Sequence, residues 1–315
     1  MMPWLFCGVG LVILLLAGDA LVKGAVNSAL RLGVPALIVS LTVVAFGTSA
    51  PELLVSISAV LDNAPGIAIG NVVGSNTANI LLVLGLPALI APMCTSDCET
   101  RKTYLQMIAA SVLFIALAYR GVFDWIAGLV LLSGLGLMIF DALRDAHRHR
   151  RSCRDSADED VEGADPEMRW WRIVVYLLLG LIGLPLGANL LVTNATIIAQ
   201  TYGISDSVIG LTLVAVGTSL PELATTVMAA LRRQADVALG NVIGSNMFNL
   251  LAIIGIASLV GPIPVDPDFL GFDLWVMLAA SALLFPFVFL KLNITRLWGV
   301  VLAGLYFAYI AAVLA

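Results

Sequence analysis

Two glutamates, Glu52 and Glu222, sit in strongly apolar sequence and share one motif, Gly-Thr-Ser-x-Pro-Glu: Gly47, Thr48, Ser49, Pro51, Glu52 and Gly217, Thr218, Ser219, Pro221, Glu222. On a helix, residues three and four apart share a face. The hydroxyls of Thr48 and Ser49 therefore lie on the side of the Glu52 carboxylate, and Thr218, Ser219 and Glu222 repeat that face. Pro51 has no N–H for the Gly47 carbonyl and its ring crowds that oxygen, so the helix is predicted to kink or open just before the acid; Pro221 does the same to Gly217. Carbonyl, hydroxyl and carboxylate oxygens thus gather at one place, the donor set of a hard cation. Ca²⁺ takes such a flexible oxygen cage more readily than Mg²⁺, which demands a tighter octahedron.

A second motif, Gly-Asn-Val-x-Gly-Ser-Asn-x-x-Asn, follows each glutamate, from Gly70 to Asn79 and from Gly240 to Asn249. Ser75 and Asn79 are four apart, as are Ser245 and Asn249, and each pair presents a polar face. These side chains are either neutral oxygen ligands or interhelical hydrogen-bond glue. Gly70 and Gly74, with Gly240 and Gly244, form small-xxx-small pairs that let helices approach closely, so the two motifs of one half are expected to pack together.

The surrounding elements are membrane helices. Hydrophobic residues make up 60% of the 315, charged residues 12%, and the mean hydropathy is +1.02, against roughly 45–50% and 25% in soluble domains. Ten apolar spans are predicted, at about 3–22, 33–61, 65–91, 103–119, 122–142, 172–199, 204–231, 235–261, 271–290 and 295–314. Residues 41–85 and 211–255 match at 22 of 45 positions with a constant offset of 170, so the chain is a duplication. Five spans per copy is odd, and the second copy enters from the opposite side. The predicted fold class is an all-α integral membrane protein: ten transmembrane helices as two inverted five-helix repeats with broken helices at the midplane, the geometry of many secondary transporters. A first repeat over 1–143 and a second over 172–315 flank a cytoplasmic linker over 144–171.

At a helix centre an acid costs roughly 2.5–3.5 kcal/mol on insertion scales and is by default a functional-site hypothesis. No intramembrane Lys or Arg stands ready to pair with Glu52 or Glu222. Two adjacent carboxylates at low dielectric cannot both stay ionised unless a proton or cation is taken up. With both termini outside, fifteen of the sixteen Lys and Arg fall in inner loops, Arg120 being the exception. The N-terminal run has no basic n-region and reads as the first span instead of a signal peptide. Cys7, Cys94, Cys98 and Cys153 show no metal-ligand spacing, His147 and His149 belong to the linker, and its acidic run, from Asp155 to Glu167, reads as solvated chain. Trp4, Trp125, Trp170, Trp171, Trp275 and Trp298 fall at span ends, as interfacial anchors do.

These two motifs, present in both copies, resemble the paired alpha repeats of the cation/calcium exchanger superfamily, and among its members the prokaryotic sodium/calcium antiporters of the YrbG type. The resemblance implies a secondary antiporter exchanging Na⁺ for Ca²⁺ by alternating access, the first and sixth spans sliding against the other eight, in a prokaryotic cytoplasmic (inner) membrane. It implies a central calcium site of Glu52, Glu222 and the carbonyls of Thr48 and Thr218. Flanking sodium sites are implied to use the carbonyls of Ala45 and Ala215, the side chains of Ser49, Ser219, Ser75 and Ser245, and the same glutamates, with Asn79 and Asn249 bordering the middle. Some members carry Asp where this chain has Asn249. With Asn there the formal site charge is −2, and the family's three Na⁺ per Ca²⁺ is open for this chain. Ca²⁺, Na⁺ and the lipid bilayer are the expected partners, with no cofactor, no nucleic acid and no enzymatic activity. A proton-coupled calcium exchanger on the same scaffold and a passive cation channel are the alternatives.

Overall fold

The computed structural model describes residues 2–96, 98–152, 165, 167–202, 215–267 and 269–314. Its long elements are all helices: α1 (Met2–Leu32), α2 (Ala36–Thr48), α3 (Ala50–Leu61), α4 (Pro65–Ile90), α5 (Arg101–Ala118), α6 (Trp125–Ser152), α7 (Trp170–Thr201), α8 (Ala215–Thr218), α9 (Leu220–Leu231), α10 (Ala235–Val260), α11 (Phe269–Phe289) and α12 (Arg296–Leu314). Among the described residues eight helices are long and apolar enough to cross a membrane, and the bent pair α2 and α3 makes a ninth. The remaining predicted span, 204–231, enters the description only at α8 and α9; 204–214 lie outside the described residues, as do Cys153, Arg154 and the linker acids from Asp155 to Glu162.

Two expected boundaries move. The first helix runs ten residues past 22 to Leu32, because it ends where the chain can turn: Gly33 takes φ 65° and the Val34 N–H bonds back to the Ala29 carbonyl at 3.0 Å. At the other end of the repeat, α6 continues through the start of the predicted linker to Ser152, since nothing from Arg144 to Ser152 breaks a helix once it has left the apolar layer.

Burial sorts the helices. The central windows of α4 and α10 are 78% and 89% buried, whereas those of the other spanning helices are 22–39% buried, so α4 and α10 form the axis. Their neighbours turn large apolar side chains such as Leu137, Leu186 and Val300 outward, as a lipid-facing surface requires. The two longest helices, α1 and α7, pack against each other along most of their length. A Cβ at Gly10 would lie 2.8 Å from the Leu191 nitrogen, and one at Gly187 2.9 Å from the Leu14 nitrogen, so only glycine permits this backbone approach. Leu14, Leu21, Ala25, Leu184 and Ala188 belong to an apolar cluster, distinct from the main core, that also takes in Val39 and Val44 of α2 and Ala224 of α9.

Short extended segments tie the halves together. Val122–Phe123 pairs antiparallel with Ile263–Pro264, and Met93 bridges Ile294. Shifted by the repeat offset of 170, the Met93–Ile294 bridge maps onto the Ile263–Phe123 pair to within one residue, so the contacts between the copies are duplicated as well as their sequences. Of the predicted anchors, Trp4, Trp125, Trp170, Trp171 and Trp275 are exposed at or near helix ends. Trp298 instead packs edge-on against Phe287, centroids 5.1 Å apart.

Candidate ion-binding site

Both motifs break their helices at the serine. Ser49, at φ −85° and ψ 6°, separates α2 from α3 with a 43° bend, and Ser219, at φ −85° and ψ 4°, separates α8 from α9. Pro51 and Pro221 lie in the first turn of the following helix, where a missing N–H costs nothing. The Leu53 N–H bonds to the Ser49 carbonyl at 3.2 Å, and none of the described backbone N–H groups crosses the break to the Thr48 carbonyl. Glu52 and Glu222 sit in the first turns of α3 and α9, where the helix dipole favours a negative charge.

The two half-sites interlock. Ser49 Oγ donates to Glu222 Oε1 at 3.1 Å. Thr48 Oγ1 lies 3.5 Å from Ser245 Oγ and 3.3 Å from Asn241 Oδ1. Through its bond to Glu222, Ser49, which precedes the helix of Glu52, joins the two acids in one site, and neither has an ion pair among the described residues. Thr48, Ser49, Glu52, Ser75, Asn79, Ser219, Glu222, Ser245 and Asn249 are all at most 4% exposed. Five buried oxygens of these residues meet no hydrogen-bond donor among the described residues: Glu52 Oε2, Glu222 Oε2, Asn79 Oδ1, Asn249 Oδ1 and Ser219 Oγ. Buried polar atoms are ordinarily paired, and a set left unpaired together marks a place for an unseen partner. No group of three or more His, Cys, Asp or Glu that could hold a metal forms among the described residues. The donor set is two carboxylates with neutral oxygens, suited to a hard cation bound loosely enough to leave.

The Ala45 carbonyl accepts the Ser49 N–H at 3.0 Å and lies 3.3 Å from the Thr48 hydroxyl, whose one proton has Asn241 Oδ1 at 3.3 Å as its other acceptor. Thr218 and the backbone of Ala215 lie at the second break, and Thr218 is half-buried. The glycine pairs act differently from expectation. Gly240 and Gly244 face the first half, not their own: a Cβ at Gly244 would lie 2.5 Å from the Leu41 carbonyl and 2.7 Å from the Ala45 Cβ. Close approach is needed between copies because each site is shared by both.

Sequence reasoning missed six polar residues. Asn71 Nδ2 donates to the Glu52 carbonyl at 3.1 Å and to Ser56 Oγ at 3.0 Å; Asn241 repeats this on the Glu222 carbonyl at 3.3 Å and Thr226 Oγ1 at 3.2 Å. Asn76 and Asn246 clasp each other across the halves. All four asparagines lie in the duplicated closing motif, which was the available signal. Asn249 lies in a wide-turned π segment, Phe248–Ile253, and Val83 N–H bonds five residues back to Ala78 beside Asn79 at 2.9 Å. Such turns frequently mark functional sites.

The bundle and its paired half-sites define a multi-pass membrane protein with two buried carboxylates at its centre. The chain belongs to the sodium/calcium exchanger protein family, whose sequence profile matches residues 2–141 and 172–315. It is 36% identical over 279 residues to the inner membrane protein YrbG of Escherichia coli (87% of this chain, 84% of that one). It is likewise 36% identical over 334 residues to the sodium/calcium exchanger MaX1 of Methanosarcina acetivorans (96% and 95%). The solved structure of the sodium-calcium exchanger NCX_Mj, soaked with 2.5 mM Na⁺ and 1 mM Sr²⁺, superposes with a TM-score of 0.82 at 35% identity, covering 99% of this chain and 98% of that one.

Proposed function

We propose that the chain is a secondary antiporter that exchanges Na⁺ for Ca²⁺ across the membrane by alternating access. The observation that carries this is the cluster of unpaired buried oxygens around Glu52 and Glu222, with no cationic side chain paired to either among the described residues. Family membership and the exchangers MaX1 and NCX_Mj favour sodium over protons as the driving ion.

In this reading Glu52, Glu222 and the carbonyls of Thr48 and Thr218 hold Ca²⁺. Ser49, Ser219, Ser75, Ser245 and the Ala45 and Ala215 carbonyls complete sodium sites, and Asn79 and Asn249 border the centre. Because Na⁺ and Ca²⁺ draw on the same two carboxylates, loading one displaces the other, and the gradient of either ion drives the other.

The finer architecture belongs to the same proposal. The duplicated breaks and duplicated cross-half pairings support two inverted five-span repeats over 1–143 and 172–315, joined by a linker over 144–171. The close backbone approach of α1 and α7 at Gly10 and Gly187 supports their movement as a unit against the remaining helices. The charge distribution supports both termini outside, and the likeness to YrbG supports an inner membrane. The test is ⁴⁵Ca²⁺ uptake into proteoliposomes loaded with Na⁺, at fixed pH, against vesicles with Na⁺ on both sides. Uptake that requires the outward Na⁺ gradient is expected; uptake indifferent to Na⁺ and driven by a pH step would select the proton-coupled exchanger.

A further inference from the structure

At the centre of the bundle four asparagines form a ring with two-fold symmetry. Asn76 Nδ2 donates to the Asn246 carbonyl at 3.2 Å, and Asn246 Nδ2 donates to the Asn76 carbonyl at 3.3 Å. Each side-chain oxygen then accepts from the next asparagine of the opposite copy: Asn249 Nδ2 bonds Asn76 Oδ1 at 2.9 Å, and Asn79 Nδ2 bonds Asn246 Oδ1 at 3.1 Å. All four residues are at most 1% exposed. The oxygens left over, Asn79 Oδ1 and Asn249 Oδ1, are buried without a donor.

A primary amide has one acceptor end and one donor end, and only the acceptor end serves a cation. An amide free to turn over would present its NH₂ where the unpaired oxygen of Asn79 or Asn249 now stands. That orientation would place a donor where a cation must sit. We infer that Asn76 and Asn246 are positioning residues whose side-chain oxygens hold the amide nitrogens of Asn249 and Asn79, so that the carbonyl ends of Asn79 and Asn249 face the ion. The backbone-bonded amides of Asn76 and Asn246 cannot rotate without losing their own bonds, so the ring fixes all four orientations at once. It also couples the copies, each half setting a ligand of the other.

This inference rests on the proposed ion site, and a double-mutant cycle separates the two. The measurement is the half-saturating Ca²⁺ concentration for uptake into Na⁺-loaded proteoliposomes, made for Asn76→Ala alone, Asn249→Asp alone, Asn249→Ala alone and Asn76→Ala with Asn249→Asp. An aspartate offers oxygen at both ends and has no wrong orientation. Asn76→Ala is therefore expected to raise the half-saturating Ca²⁺ about tenfold, equivalent to about 1.4 kcal/mol, in the chain with Asn249 and less than about twofold in the Asn249→Asp background. An equal change in both backgrounds makes Asn76 a packing residue and overturns the inference while leaving the ion site standing. If neither Asn249→Ala nor Asn249→Asp alters Ca²⁺ dependence, Asn249 is no ligand and the inference falls with it. Asn246→Ala with Asn79→Asp is the symmetric cycle and supplies the test should Asn76→Ala fail to fold.

Discussion

Replacing Glu52 or Glu222 by glutamine removes one charge and almost no volume, and so separates binding from folding. Glutamine at 222 keeps an oxygen for the Ser49 hydroxyl, 3.1 Å away, and Asn71 holds the backbone at Glu52, not its side chain, so both variants are expected to fold. A site charge of −2 is neutral when loaded with Ca²⁺; after one substitution the same loaded site is +1. Removing one partner from a buried charge pair costs roughly 3–5 kcal/mol, which lowers apparent Ca²⁺ affinity by roughly two to three and a half orders of magnitude. Without ions the effect reverses. Glu52→Gln replaces a buried acid, one of whose oxygens meets no donor among the described residues, by a neutral group, so the ion-free protein is expected to melt no lower than wild type. The assay is thermal melting of the purified protein with and without Ca²⁺, paired with ⁴⁵Ca²⁺ uptake. At a hundred times the wild-type Kd, ligand stabilises by about 2.7 kcal/mol, a shift that both variants should lose at the same Ca²⁺ concentration. If either variant keeps its Ca²⁺-dependent shift and takes up Ca²⁺ within tenfold of wild type, the two-carboxylate site is wrong.

Asn71→Ala and Asn241→Ala each remove two hydrogen bonds that tie the closing motif to the acid-bearing helix, and each is expected to lower stability by about 1–3 kcal/mol and to weaken Ca²⁺ dependence, read from melting curves and uptake. Gly244→Val places a side chain against the Leu41 carbonyl, 2.5 Å from where a Cβ would stand, so loss of monodisperse protein in detergent chromatography is expected; a well-folded variant would show that α10 does not seat on α2. Arg232, at the end of α9, pairs with Asp19 of α1, a half-buried bridge between the long helix pair and the core. Asp19→Asn is expected to change the maximal exchange rate severalfold with half-saturating Ca²⁺ within about twofold, because a pair so placed biases the helix position and touches no ion ligand.

How much of this was legible in the sequence depends on whether the signal is local. The breaks were legible: proline two residues after Ser49 and Ser219 dictates a missing hydrogen bond wherever the helix lies. The acids were legible because a carboxylate in apolar sequence is costly and stands out. Which helix meets which was not. Gly240 and Gly244 read as contacts within a half, yet their partner is α2 of the other half, since periodicity reports a face and not what faces it. Asn76 and Asn246 went unread for a similar reason. Their role exists only when the copies are joined, and asparagine at a buried helix face reads equally well as ligand or as glue. The π segment at Phe248–Ile253, which carries Asn249, has no composition that distinguishes it from ordinary apolar helix.

The arrangement of unpaired oxygens also bears on why this protein exchanges ions instead of leaking them. Glu52, Glu222, Asn79, Asn249 and Ser219 are closed off from water, so any state of this shape strands their free oxygens unless a cation meets them. Each neutral acceptor left unpaired costs about 1–3 kcal/mol, and a charged one more. Passing from one side to the other without an ion therefore crosses a closed state higher in energy by several such terms, whereas Ca²⁺, or Na⁺ in sufficient number, removes the penalty. A channel would need the opposite arrangement, with the acids solvated along a continuous pore. In the proposed mechanism the oxygens that would bind the ion also make the ion-free crossing unfavourable, so obligatory coupling would follow from their burial together with their being shared between two competing ions.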